Sequence, residues 1–432
     1  MAAVARENRV DLEAVEQAVR AAVLAAGADV IGELLRPVGV GRRDGPVRCS
    51  CGTAMRSCGV RTKRIQTLLG WVPFARSMYR CPQCGQMRCP GDEELDVVNT
   101  SRSPGVRRQT ARLGAKETFA EVSADMAELA GLELCRKEAE RIAETEGARM
   151  EQWMAQERVQ LRFAEPPAEG APKTIETLYI ELDGTGIPMV PDALEGRKGK
   201  QPDGTAKTRE AKVGCVFTQT QTDEKGKPVR DSGSASFVAA IEAAGPFGWR
   251  LYAEAVRRGL FRAKRVVVLG DGAEWVKNTA QTHFCNAQFI IDYYHASEHV
   301  GELCRALLDR NPELAKNRRE RWTDCLWEGK VETLVEEATA LLPRDPDAKK
   351  DARTQIGYFR KNMEHMRYDK FREQDMFIGS GVVEAACRHL VGVRLKQSGM
   401  EWTERGANSI LALRSVVLSN RMEEYWENRA AA

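Results

Sequence analysis

The sequence predicts an α/β protein in which a mixed sheet with flanking helices follows a zinc ribbon and a helical, helix-turn-helix-like region. Three observations predict it. Six of the twelve cysteines crowd between Cys49 and Cys89. Beyond a Pro- and Gly-rich stretch at residues 163–173, apolar runs of strand length alternate with helical text. Several of those runs end in aspartate, and strand ends are where a mixed sheet gathers its chemistry.

The chain has 432 residues, 43% hydrophobic and 29% charged, which fits two or three folded domains and excludes a disordered chain. No apolar run reaches the ~18–20 residues of a membrane span. The best, Ala21 to Leu35, is interrupted by Asp29 and Glu33. The N-terminus lacks the basic, apolar, small-residue order of a signal peptide. A cytoplasmic, nucleoid-associated protein without a membrane partner is therefore expected.

In chain order, residues 1–40 read as one amphipathic helix whose end is marked between Gly32 and Gly41. Residues 41–100 form the ribbon. Cys49-Ser-Cys51-Gly and Cys81-Pro-Gln-Cys84-Gly are two knuckles able to share one tetrahedral Zn²⁺, with β-rich text from Ile65 to Arg80 and a Gly70 turn between them. In a cytosolic chain such a cluster points to metal rather than disulfides. The first pair is unusually tight, so Cys58 or Cys89 is an alternative ligand. The other six cysteines read as buried small apolar residues.

Residues 101–162 are helical. Val106 to Leu113, Glu117 to Ala130 and Cys135 to Met150 are separated by Gly-containing breaks, the outline of a helix-turn-helix. Residues 163–174 are a linker. From 175 to 432 the class changes. Thr177 to Leu182 is a strand, continued by Ile187 to Val190 past a Gly184-Thr185-Gly186 turn. Lys212 to Thr220 is a strand, Phe237 to Arg258 mainly helix, Arg265 to Leu269 a strand, Ala273 to His283 a helix and Ala287 to Ile291 a strand. From Tyr294 to Met363 the text is helical.

Two apolar strands end in Asp-Gly, at Asp183 and Asp271, and a third ends in Asp292 with His295 three residues on. An aspartate after an apolar strand sits at a rigid edge. Several converging carboxylates suit Mg²⁺ or Mn²⁺, which take oxygen ligands, and two such ions serve in-line phosphoryl displacement. In Gly379-Ser380-Gly381-Val382-Val383-Glu384, Ser380 is placed to N-cap a helix that carries Glu384 in its first turn, with Arg388 one turn on.

The segments YIELDGT, VVVLGDGAEWV, FIIDYYHASEH and GSGVVEAACRHLVGVRLKQSGMEWTERGANSILALRS together resemble DDE transposases of bacterial insertion sequences, most of all the ISKra-type lineage allied to the mutator-like group. The ribbon text resembles that family's N-terminal region, so the likeness covers most of the chain. It implies an RNase H-like catalytic domain over 175–432, with a helical insertion at about 296–378. It also implies that Asp183, Asp271 and Glu384 form the Mg²⁺- or Mn²⁺-binding catalytic triad, that Asp292 and His295 are auxiliary, and that two DNA ends are joined by a dimer or larger homo-oligomer.

The net charge of +3 hides an asymmetry. Residues 41–113 hold fourteen Lys and Arg against five acids, a local balance of +9 that leaves −6 elsewhere. Arg61, Lys63, Arg64, Arg107 and Arg108 in this segment, with Arg388, Arg394 and Lys396 beside Glu384, are the expected contacts to double-stranded DNA. Trp275, Trp322, Trp327, Trp402 and Trp426 read as core, with Trp402 the one expected to reach a base. Two rivals stand beside the transposase. A zinc-ribbon/helix-turn-helix regulator without catalysis gives no reason for the strand-end aspartates, and a general RNase H-like nuclease does not need so large a basic N-terminal region.

Overall fold

The computed structural model describes residues 11–38, 45–166, 168, 170, 172–199, 201, 204–308, 311–345 and 349–429. Residues 1–10, 39 and 40 of the expected first helix, and Arg42 and Arg43 of the basic segment, lie outside these. The chain divides into two compact units, Met1–Glu146 and Gly147–Ala432.

The first unit opens with helix α1 (Leu12–Val38). Strands β1 (Arg56–Thr67), β2 (Gly70–Arg80) and β3 (Met87–Arg88) form an antiparallel sheet in that order. Thr67 pairs with Gly70 across a two-residue turn, and Gly70 takes a φ of +130° that a side chain would resist. Ile65, Phe74 and Val97 form a small core with Leu35 and Leu95 packed on it. After the short α2 (Pro90–Glu94) come α3 (Pro104–Gly114), α4 (Phe119–Ala130) and α5 (Arg136–Arg162). Their starts follow the capping rules: Ser103 accepts from Val106 N ahead of Pro104, and Thr118 and Glu121 make a full capping box. Gly131 closes α4 in the left-handed conformation. Helix α5 runs twelve residues past the expected Met150. Gly147 does not break it, because a Cβ there would stand 2.1 Å from the Ser409 carbonyl oxygen; the glycine lets two backbones touch.

The second unit is built on β4 (Ile175–Pro188), β5 (Thr208–Gln219), a two-stranded hairpin of β6 (Gln221–Thr222) and β7 (Pro228–Val229), β8 (Ser236–Ala240), β9 (Ala263–Gly270) and β10 (Gln288–Ile291). The main sheet is five-stranded and mixed, in the order β10-β9-β4-β5-β8. β10, β9 and β4 are parallel, and β5 is antiparallel to both β4 and β8. Helices α6 (Ala244–Arg257) and α7 (Glu274–His283) connect its strands. Both faces are covered. At Gly214 the sheet meets Leu251 and Phe247 of α6, whereas the neighbouring Cys215 points the other way, towards Glu181.

Two expectations are corrected here. Gly184 to Gly186 is not a turn; β4 runs straight through, paired residue by residue with β5. The glycines are there because the Glu210 and Thr208 side chains press on them, within 3 Å of where a Cβ would be. The segment at Phe237 begins as strand β8 rather than helix, because a five-residue apolar run carries no period that separates the two.

Helices α8 (Tyr293–Leu308), α9 (Pro312–Trp327), α10 (Val331–Ala340), α11 (Lys350–Asn362) and α12 (Tyr368–Glu373) follow β10 as a run of helices, over the span where an insertion is expected. The chain returns through α13 (Gly381–Ala386), a π-helical segment Cys387–Gly392, α14 (Val393–Leu395), α15 (Glu404–Leu418) and α16 (Met422–Arg429). Among the described residues no helix is long and apolar enough to cross a membrane.

Candidate active site and metal centre

The parallel register brings three aspartates level. Leu182 pairs with Gly270, and Gly270 with Ile291. The next residues are Asp183, Asp271 and Asp292, so the three aspartates stand level on neighbouring strands, whose backbones are about 4.8 Å apart. Asp183 Oδ1 accepts from Gly184 N at 2.6 Å, and Oδ2 lies 3.4 Å from the Cys387 thiol. Asp271 Oδ1 accepts from Ala273 N at 2.9 Å across Gly272. Gly272 has a φ of +80° and no room for a Cβ beside Ile291, which explains the Asp-Gly pair physically.

Asp292 is buried, and both its oxygens are engaged. Oδ1 caps α8 by accepting from His295 N at 2.6 Å, and Oδ2 accepts from Ser380 N at the start of α13. Glu384 is one turn into that helix and exposed, with Ser380 Oγ 3.5 Å from its carboxylate. Burial raises the Glu384 pKa, and the charges of Asp292 and Asp183 raise it further. Burial also raises that of Asp183, opposed by the Gly184 amide and the Cys387 thiol and reinforced by Asp271. His295 Nε2 lies 3.2 Å from His299 Nε2, and His299 Nδ1 is 2.7 Å from Gln355 Oε1.

Sequence reasoning missed Glu181. The cap expected from the Ser380 side chain is not made by it. Instead Glu181 Oε2 accepts from Val383 N at 2.8 Å, the third amide of α13. Glu181 is fully buried on β4, two residues before Asp183 and therefore on the same face. The signal was a glutamate inside an otherwise apolar strand, a residue almost never fully buried without a partner. Burial pushes its pKa up to about 8, partly offset by the Val383 amide and reinforced by Asp292 and Glu384. Its folded pKa lies above the ordinary glutamate value of 4.5, so the stability it contributes is complete below about pH 4.5 and is lost as pH rises through 8. Glu181→Gln is expected to match the parent protein at pH 5 and to melt at a higher temperature than it at pH 9, both in EDTA. A melting difference independent of pH would refute this.

The helix carrying Glu384 passes into the π-helical turn, which leaves carbonyls without their usual intrahelical donors. Buried Arg414 supplies donors: its Nε reaches Leu390 O at 2.6 Å and its Nη2 the His389 carbonyl.

In the first unit, Cys49, Cys51, Cys81 and Cys84 bring their sulfurs within 4.8 Å of one another. The Cys49–Cys84 and Cys51–Cys81 separations are 3.4 and 3.6 Å, against the ~3.8 Å edge of a tetrahedron with Zn–S bonds of about 2.3 Å. Gly52 and Gly85, with φ of +84° and +75°, close the two knuckles. Hydrogen bonds from the side chain and backbone of Thr53 bring the Cys51 pKa down to about 6, which favours the thiolate. The donor set fits Zn²⁺. Cys58 and Cys89 stand outside it, so neither replaces a ligand. Of the six scattered cysteines, Cys215, Cys304 and Cys325 are buried and Cys387 partly so, whereas Cys135 and Cys285 are exposed. Among the described residues no carboxylate cluster is gathered as tightly as these thiols.

The basic residues divide. Arg61, Arg64, Arg388 and Lys396 are exposed; Arg64 lies 5.2 Å over the Trp71 ring, and Lys396 Nζ donates to Thr185 Oγ1 at 2.5 Å. Arg108 is half-buried. Three expected DNA contacts are instead turned inward. Arg107 is 3% exposed and paired with Asp96 and Glu146. Lys63 donates to Asp92 at 3.1 Å and to Val97 O at 2.5 Å. Arg394 is fully buried, 5.3 Å over the Trp402 ring. Trp402 itself is buried, with Nε1 donating to Leu395 O, so it does not reach a base; of the five tryptophans expected in the core, Trp327, 41% exposed, is the open one.

Residues 249–429 match the model of a family described as "Uncharacterised protein family (UPF0236)". That span takes in Asp271, Asp292, His295 and Glu384 and begins after Asp183. A relative, "UPF0236 protein in vanSb 3'region" from Streptococcus gallolyticus, is 23% identical over 375 residues, covering 85% of this chain and 75% of the relative. Among solved structures, the Drosophila P element transposase strand transfer complex is similar at 7% identity and a TM-score of 0.23, over 75% of this chain and 80% of that one. A TM-score this low defines no shared fold.

Proposed function

We propose that the protein is a DDE-type DNA transposase of the ISKra-like lineage, with an RNase H-like catalytic domain whose triad is Asp183, Asp271 and Glu384. The observation that carries the reading is the register that sets Asp183 and Asp271 level on adjacent parallel strands, with the Glu384 helix tied to the same strand ends through Glu181 and Asp292. Further support comes from the mixed sheet, in which β4 is central, parallel to β9 and antiparallel to β5.

In this reading, water hydrolyses a phosphodiester at the transposon end. The freed 3′-hydroxyl then displaces a phosphodiester in target DNA by direct transesterification, so bonds are conserved without ATP. The oxygen donors of the triad suit Mg²⁺ or Mn²⁺, which when bound would supply charge stabilisation to the attacking and leaving oxygens. Asp292 acts as a positioning residue, since its oxygens already serve two backbone amides. Arg388 and Lys396, exposed beside Glu384, face the phosphates. The exposed Arg61 and Arg64 of the ribbon contribute to end binding, and two protomers synapse two ends.

The test is strand cleavage of a duplex carrying the inverted repeats that flank the gene. Cleavage is expected with Mg²⁺ or Mn²⁺ and none in EDTA. Binding to that duplex with no cleavage in either metal would favour the regulator, and preferential cutting of an RNA–DNA hybrid would favour the general nuclease.

A further inference from the structure

Helix α8 carries two histidines, and only the first, His295, has a place in the reading above. His299 follows it by four residues, so both rings leave the same face of the helix. Their Nε2 atoms approach to 3.2 Å, with the rings nearly perpendicular and their centres 4.8 Å apart.

The second nitrogen of each ring faces an acceptor. His299 Nδ1 lies 2.7 Å from Gln355 Oε1 on α11, and Gln355 Nε2 in turn donates to Glu302 Oε2 at 2.8 Å. With its amide nitrogen held by Glu302, Gln355 presents oxygen to the imidazole. The His299 proton therefore sits on Nδ1, and Nε2 keeps its lone pair. His295 Nδ1 faces Glu298 Oε2 at 3.8 Å, whose charge favours a proton on that nitrogen. Two lone pairs then point at each other across 3.2 Å, an arrangement that a cation between them relieves.

The geometry suits a metal ion. Zn–N bonds of about 2.0–2.1 Å at a tetrahedral centre place two ligand nitrogens ~3.3–3.4 Å apart, close to the separation found. Two histidines at this helical spacing are an established zinc-ligating pair, and a hydrogen bond from the far ring nitrogen is how such ligands are oriented. The His299 ring is also fixed by stacking on Tyr358, at 4.0 Å between centres. Burial lowers the His299 pKa, against the Gln355 hydrogen bond, so the ring is kept neutral and able to ligate. The His295 side chain is 37% exposed, which leaves an entry path and room for water in the remaining positions.

We propose that His295 and His299 form a second, exchangeable transition-metal site that takes Zn²⁺ between their Nε2 atoms. Imidazole favours Zn²⁺ over Mg²⁺, so the site does not compete for the ion that suits the carboxylates. Its place is beside them: the Tyr358 hydroxyl stands 3.5 Å from where a Cβ on Gly272 would be, next to Asp271. The site does not depend on the catalytic reading, since it is defined by ion binding alone.

The test uses the full chain with its thiol cluster already loaded with zinc and a millimolar excess of Mg²⁺ present, titrated calorimetrically with Zn²⁺. One further equivalent is expected to bind in the micromolar range. His299→Phe keeps a ring against Tyr358 and is expected to abolish that equivalent while the cluster zinc stays. His295→Gln, at the more exposed position, is expected to do the same and serves should His299→Phe fold poorly. Gln355→Ala leaves both ligands and is expected to weaken the site about 10- to 100-fold. Co²⁺ in place of the added Zn²⁺ is expected to bind without a thiolate charge-transfer band. Binding only at millimolar Zn²⁺ overturns the proposal. So does a further equivalent that survives both histidine substitutions, or one that Asp271→Asn removes, which would assign the ion to the strand-end carboxylates.

Discussion

Asp271→Asn is expected to abolish metal-dependent strand cleavage, by at least ~10²–10³-fold, while binding to the end DNA changes less than about threefold. The substitution keeps the side chain's size and its acceptor for the Ala273 amide, so the Asp-Gly turn is preserved. What is lost is one negative charge from a row in which Asp183, Asp271 and Asp292 stand level. Asp183→Asn and Glu384→Gln are expected to behave alike. Asp292→Asn should differ in kind. It removes the charge that serves the amides of His295 and Ser380, so it lowers the melting temperature as well as the rate. A purified Asp271→Asn protein with full cleavage activity would remove Asp271 from the active site, and undiminished stability of Asp292→Asn would remove its positioning role.

The second large effect concerns zinc. Cys81→Ser, or a strong chelator, is expected to remove a stoichiometric Zn²⁺ and unfold the knuckle end of the β1–β3 sheet, whereas Cys58→Ser and Cys89→Ser leave both metal and knuckles intact. The apolar cluster beneath the knuckles is only Val47, Cys49, Met55, Tyr79 and Cys81, and two of its five members are proposed ligands. So small a cluster cannot offset the entropy of ordering the knuckle end of the sheet, whereas a structural zinc contributes on the order of 10–16 kcal/mol; the far end of β1 and β2 keeps its own core of Ile65, Phe74 and Val97. Bound zinc needs four thiolates, so the ribbon is expected to release it as the medium is acidified. Zinc content and limited proteolysis measure the outcome. Full zinc occupancy in Cys81→Ser, or loss in Cys58→Ser, would assign the ligands differently.

Much of this was legible in the residues. Cysteine spacing located the thiol cluster, and its uncertainty between CxC and two outlying cysteines was one that only three-dimensional placement could settle. Apolar runs followed by aspartate put Asp271 and Asp292 at strand ends, because strand burial leaves its mark in one dimension, whereas Asp183 lies within β4, which runs on to Pro188. The errors have a common cause. Arg107, Lys63 and Arg394 were counted as surface charge, but the acids and aromatic rings that draw them inward lie far along the chain or on another element. Glu181 was passed over because its partner, the Val383 amide, is about two hundred residues away. Trp402 is buried and Trp327 exposed, the reverse of the expectation, for the same reason: burial of a tryptophan is decided by what packs on it, which neighbouring letters do not carry.

The seam at Asp292 has a consequence for how such proteins diversify. The helical insertion leaves the sheet at Tyr293 and returns at Ile378, and these two residues are joined by a backbone hydrogen bond of 2.8 Å from Tyr293 N to the Ile378 carbonyl. Beside it, Asp292 accepts from the amides of His295 and Ser380, one on each side of the excursion. Between them the helices also grip the sheet: Tyr368 Oη donates to the Ile291 carbonyl at 2.9 Å, and Arg265 Nη1 to the Gln374 carbonyl at 2.8 Å. Helices can be lengthened, traded or pruned beyond these contacts at little entropic cost, since loop closure depends only weakly on length. The helical excursion is thus closed on itself at its root, so a change in the length of its outer connections need not move the aspartates of the sheet.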